Sequence, residues 1–147
     1  MDSYVGKIFF ESNLIFKKTG NFYNKQIDHA KTRPVLIIAE SEEYLYYLKI
    51  SSNIGASSTS VEIFNKYGQS KNSFVSVDQI FRKPICFIKD IQMISKNNIL
   101  EILIMLKRYN EKIHKDEYYD EINAKIDELI EKYSVELDKK SKKLKLR

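Results

Sequence analysis

The chain has 147 residues, 43% of them hydrophobic, with 4 Gly, 2 Pro, 1 Cys and a net charge of +5. That is enough chain for one domain with its own core, and it excludes a disordered or linker-rich protein. A lone cysteine excludes a disulfide framework, and two distant histidines offer no metal-ligand spacing, so no metal or cofactor is expected.

Tyr4 to Phe10 reads as a first strand, rich in aromatic and β-branched residues, with Gly6 marking a bulge or a close backbone approach. Residues 11–33 form a long connection, with a short helical turn expected at 13–16. Connections of that length in compact domains are often binding loops. This one interleaves Lys17, Lys18 and Lys25 with Phe22 and Tyr23, a mixture of cations and rings suited to nucleic acid. It ends in Asp28-His29-Ala30-Lys31-Thr32-Arg33, directly before an unbroken apolar run. Val35 to Ala39 lacks polar alternation and reads as a strand buried on both faces, with Pro34 at its first position. His29, Lys31 and Arg33 therefore sit at the mouth of a firm element.

Glu40 to Glu43 is a short polar turn, and Tyr44 to Ile50 is the returning strand of an antiparallel hairpin. Ser51 and Ser52 close it. Val61 to Phe64 and Phe74 to Phe81 are further strands, and 85–88 is a last short one with Cys86 as a small buried hydrophobe. From Ser95 the apolar period becomes helical. Ser95 caps a first helix with Ile99, Leu100, Leu103, Ile104 and Leu106 on one face, and Asp116 caps a second reaching Tyr133. The expected fold is α+β: a small, strongly bent antiparallel sheet or half-barrel over 1–94, a helical part over 95–138, and a basic tail over 139–147. His114 receives no role.

Charge is unevenly placed. Residues 1–94 carry 12 basic and 9 acidic side chains, residues 95–138 carry 7 and 11, and the last nine carry six positive charges and no negative one. A basic body with a basic tail favours a polyanionic partner. No segment approaches the roughly 20 apolar residues of a membrane span, and no signal-peptide pattern opens the chain, so a cytoplasmic protein without a membrane partner is expected.

Four short motifs in one order carry a resemblance: Gly6-Lys7-Ile8, then Arg33 to Ile38 after a long loop, then Ser51-Ser52, then Val77-Asp78-Gln79-Ile80. This order resembles the MazF/PemK-like toxins, endoribonucleases on a small barrel of the CcdB type, over residues 4–90. Lys7, the two added helices and the basic tail look closer to the ToxN/AbiQ branch with its CptN and TenpN relatives. Its antitoxin is a structured, pseudoknot-like RNA (type III), and the system serves phage defence. In that branch a lysine precedes the central strand and a Thr-Ser or Ser-Ser pair ends the next, as Lys31 and Ser51-Ser52 do here. The tyrosine found four residues before that lysine is replaced by Ile27, and His29 or Tyr23 could substitute for it.

The resemblance implies an RNA substrate cleaved by its own 2′-hydroxyl. Lys31, Ser51, Ser52 and His29 would be catalytic, and Arg33, Tyr23, Lys25, Phe22, Lys17 and Lys18 would hold RNA. It also implies a protein–RNA hetero-oligomer with the antitoxin. Two alternatives stay open: a MazF-like dimer neutralised by a protein antitoxin, and a silent RNA-binding module. Without the resemblance, Lys31 and Arg33 read as surface cations and the serine pair as turn chemistry.

Overall fold

The structure, a computed structural model, describes residues 3–12, 17–18, 21–22, 32–51, 60–63, 73–88, 92–112 and 116–145. Its strands are β1 (Lys7–Ser12), β2 (Lys17–Lys18), β3 (Asn21–Phe22), β4 (Thr32–Glu40), β5 (Tyr44–Ser51), β6 (Ser60–Ile63), β7 (Ser73–Ser76), β8 (Phe81–Pro84) and β9 (Gln92–Met93). Two helices follow, α1 (Lys96–Lys112) and α2 (Glu117–Lys145). The main sheet runs β6-β7-β5-β4-β1-β9, with β8 added to β5, and every pairing in it is antiparallel. The path is open, so the expected α+β class is found but the sheet is not closed into a barrel.

β4 is the centre. Val35 to Ala39 are fully enclosed, as an apolar run without alternation requires. Leu36, Ile38 and Ala39 join the larger core under the helices, while Val35 and Ile37 join a second cluster on the opposite face. A bulge makes this division possible. The register with β5 shifts between Ile37, opposite Tyr47, and Ala39, opposite Tyr46, so adjacent Ile38 and Ala39 both reach the helix face. β4 starts at Thr32, two residues before Pro34, because it already pairs with β1 there. Its pairing with β5 begins only at Val35, after the proline that has no N–H to give.

The first strand begins later than expected. Gly6 stands at φ +92°, in a turn where an L side chain would be strained. The expected single strand 74–81 is also two. β7 pairs with Ile50 and Ser51, and β8 with Tyr44 to Tyr47, so both lie along the same edge of β5 and the chain must cross between them. Residues 85–88 form no strand, and Cys86 is exposed rather than buried. A continuous apolar run cannot by itself separate a core strand from a segment leaving the sheet. β9 was not expected, and the helical turn expected at 13–16 lies outside the described residues.

Both helix caps are where the sequence puts them. Ser95 Oγ accepts the Asn98 N–H at 3.2 Å. Asp116 Oδ1 accepts the Tyr118 N–H at 2.9 Å, while Oδ2 accepts the Ile80 N–H at 3.1 Å. Buried Asn110 supports that cap, its Oδ1 accepting the Asp116 N–H at 2.9 Å and its Nδ2 donating to the Leu106 carbonyl at 3.0 Å. Ile99, Ile102, Leu103 and Leu106 of α1 and Tyr119, Ile122, Ile126 and Tyr133 of α2 fill the core. The helix α2 continues through Lys145, taking in most of the expected basic tail. Neither helix is long and apolar enough to cross a membrane.

A polar latch fastens α2 to the sheet. The Arg82 guanidinium lies 4.0 Å from the Tyr44 ring centre and 4.7 Å from that of Tyr118, and it donates to both Glu121 oxygens at 2.9 and 3.0 Å. Tyr46 donates its hydroxyl to Glu121 at 2.7 Å. That hydroxyl, together with Arg82, holds the Glu121 carboxyl below the usual carboxylate range. This geometry gives Arg82 and Glu121 a structural role.

Candidate functional site

Opposite the helices, β1, β4, β5 and β8 present a second apolar face built from Phe9, Val35, Ile37, Leu45, Tyr47 and Phe81, with Ile88 packed on it. Its rings interlock: Phe9 meets Tyr47 edge-on at 5.4 Å and Tyr47 stacks on Phe81 at 5.8 Å. β8 and β1 flank this face with β5 and β4 between them, a separation of about 14 Å in a flat sheet. Even so, Lys83 of β8 reaches Glu11 of β1 at 2.6 Å and lies 5.3 Å from the Phe9 ring centre. The face is therefore concave, and the ion pair spans it.

The hairpin of β4 and β5 decides what meets at the rim. Val35 lies opposite Lys49, and the same register continued brings Arg33 level with Ser51. On its other side Arg33 pairs with Glu11. Along β5, Leu45 and Tyr47 face the concavity, so by alternation Lys49 and Ser51 do too. Ser51 is half-buried and pairs with Phe74 of β7. Of the residues expected to be catalytic, Ser51 alone has its side chain among the described residues; Lys31, Ser52 and His29 lie outside them. Tyr23 and Lys25 also lie outside, and Arg33, Lys17, Lys18 and Phe22 are described in backbone only. Lys17 and Lys18 pair with Phe22 and Asn21 in a separate two-stranded sheet.

Three residues of this rim were missed by sequence reasoning: Glu11, Lys49 and Lys83. The period-two spacing of Tyr47, Lys49 and Ser51 was a usable signal for Lys49. Nothing local signalled Glu11 and Lys83, whose meeting depends on the curl of the sheet. Lys49 and Ser51 thus put a cation and a hydroxyl two residues apart on one side of β5, with the Arg33 backbone level with Ser51 on the neighbouring strand.

Burial, and then the nearby charge of Glu11, push the Tyr47 hydroxyl well above the ordinary tyrosine value. Burial raises Tyr46, Tyr109, Tyr119 and Tyr133 as well. A raised folded value means the folded chain keeps protons that the unfolded chain releases. The associated stability is complete below about pH 10, where an unfolded tyrosine titrates, and is lost as pH rises beyond it. Urea midpoints should accordingly hold up to pH 9 and fall at pH 11, with a shallower fall in Tyr47→Phe. Equal falls in the two chains would contradict this account.

Neither the comparison with protein-family models nor that with curated proteins returned a match to this chain.

Proposed function

We propose that the chain is a metal-independent endoribonuclease toxin of a toxin–antitoxin system, held inactive by a structured RNA. The supporting observation is the antiparallel pairing of β4 with β5, which puts the start of one strand beside the end of the other. Lys31 and Arg33 stand at that start, and Ser51 and Ser52 at that end.

RNA carries its own nucleophile. A general base takes the 2′-hydroxyl proton, the 2′ oxygen bonds to phosphorus, and the bond from phosphorus to the 5′ oxygen breaks as a general acid protonates the leaving oxygen. His29 carries an imidazole, a side chain able to give or take a proton, and takes one of these proton steps, with Tyr23 as its substitute. Lys31 and Arg33 stabilise the charge that grows on the phosphoryl oxygens, and the two serine hydroxyls orient them. The products are a 2′,3′-cyclic phosphate and a 5′-hydroxyl.

The test is incubation of the folded chain, freed of any bound RNA, with mixed-sequence RNA in EDTA, followed by mapping of the fragment ends. Cyclic phosphate ends are expected, with DNA of the same sequence left intact. RNA that survives uncut under these conditions overturns the enzyme reading.

A further inference from the structure

The outward face of α1 holds a groove of about 630 Å³, whose lining among the described residues comes from α1 alone. This helix carries more apolar surface than its core face uses. Between Ile99 and Leu106 only Glu101 is polar. Ile99, Ile102, Leu103 and Leu106 are buried in the core, whereas Leu100, Ile104 and Met105 line the groove, Leu100 and Met105 also touching the edge of the core. The sequence places Ile104 with the core face. In the structure it stands in a row with Asn97, Glu101 and Arg108, at spacings of four, three and four, on the side away from Leu103 and Leu106. A helix apolar on nearly every side calls for cover on more than one side.

The charges of α1 divide in the same way. Lys96 lies 2.8 Å from Glu136 and Lys107 lies 2.7 Å from Asp127, so α2 holds both. Glu101, Arg108 and Lys112 line the groove instead, and all three are exposed. Among the described residues none of these three has an ion pair. Two turns, about 10 Å of helix axis, separate Glu101 from Arg108, too far for them to meet within one helix.

Glu101 and Arg108 lie equally far to either side of the point between Ile104 and Met105. When a second α1 packs antiparallel on the first, about a two-fold axis at that point, each Glu101 comes level with the Arg108 of the other copy. Each Asn97 likewise comes level with the other copy's Lys112. A two-fold contact requires a surface complementary to itself. A groove with apolar residues at its centre and opposite charges at equal offsets meets that requirement, whereas a foreign partner gives no reason for the symmetry. We propose that the outward face of α1 is a homodimer interface, its occupant the same face of a second copy of this chain. From Asn97 to Lys112 the face is about 22 Å long, and one helix width of that length buries less than the roughly 800 Å² per partner of a standard interface. The dimer is therefore reversible. The concave face lies across the sheet from α1, so the dimer leaves it open and does not rest on the ribonuclease reading.

Sedimentation equilibrium of the full chain, freed of any bound RNA, measures self-association from micromolar to submillimolar concentration, and circular dichroism checks each fold. Wild type should pass from monomer to dimer as concentration rises. Glu101→Arg and Arg108→Glu each set two pairs of like charges face to face, and each should raise the dimer dissociation constant by about tenfold or more. An equimolar mixture of the two should recover dimerisation, because every pair then joins opposite charges. The double variant Glu101→Arg/Arg108→Glu should recover it for the same reason. Wild type that stays monomeric throughout, a single variant that dimerises as well as wild type, or a mixture no stronger than its parts overturns the interface. RNA takes no part in the measurement, so its failure leaves the nuclease reading untouched.

Discussion

A Lys31→Ala chain should keep its fold and lose RNA cleavage by about 10²- to 10³-fold, the range measured when one preorganised donor to a developing negative charge is removed. In the proposed mechanism lysine matters most because a preorganised cation needs little rearrangement as charge develops on the phosphoryl oxygens. The loss should appear in kcat, since an interaction made chiefly in the transition state leaves substrate binding almost unchanged. Ser51→Ala should cost less, because a neutral hydroxyl stabilises charge less than an ammonium. Single-turnover rates on a defined RNA measure both. A Lys31→Ala chain that cuts at the wild-type rate would remove lysine from the mechanism.

The second large effect is on stability. Leu36 is fully enclosed in the middle of β4, opposite Ile8 on β1 and Leu48 on β5, and its side chain lies beneath the helices. Leu36→Ala should cost about 3–4 kcal/mol, from lost transfer energy plus a cavity that neighbours on three elements cannot fill. That is a large share of the 5–15 kcal/mol typical of a domain. Phe87→Ala serves as the contrast, because Phe87 is 85% exposed, and its cost should stay within about 0.5 kcal/mol. Urea unfolding of the three chains reads both values. Equal midpoints for wild type and Leu36→Ala would mean that β4 is not the centre of the core.

What the sequence disclosed followed from local physics. The run Val35 to Ala39 announces a strand buried twice over, Ser95 and Asp116 announce helix starts, and the polar turn before Tyr44 announces the hairpin; all of these are found. Misplacements arise where partners lie far apart in the chain. Phe74 to Phe81 looks like one strand because nothing local records that β5 offers its edge to two partners in turn. Cys86 looks buried because its neighbours are apolar, yet burial depends on where the chain goes after Pro84. The expected basic tail is helical over 139–145 because α2 continues from a well-packed middle. For the site, alternation along β5 is enough to place Lys49 beside Ser51, whereas the Lys83–Glu11 pair depends on curvature that periodicity does not encode.

The double use of Asp116 bears on how the chain folds. One of its carboxylate oxygens completes the first turn of α2, and the other fixes Ile80, the residue just before β8 begins. The crossing from β7 to β8 and the start of the last helix therefore become ordered in one event, with neither able to reach its final bonding before the other. Contacts so distant in sequence delay folding, since the intervening chain must close before they form. In return they bind the β and helical portions into a single cooperative unit, whose amides should exchange with solvent through shared openings instead of helix by helix.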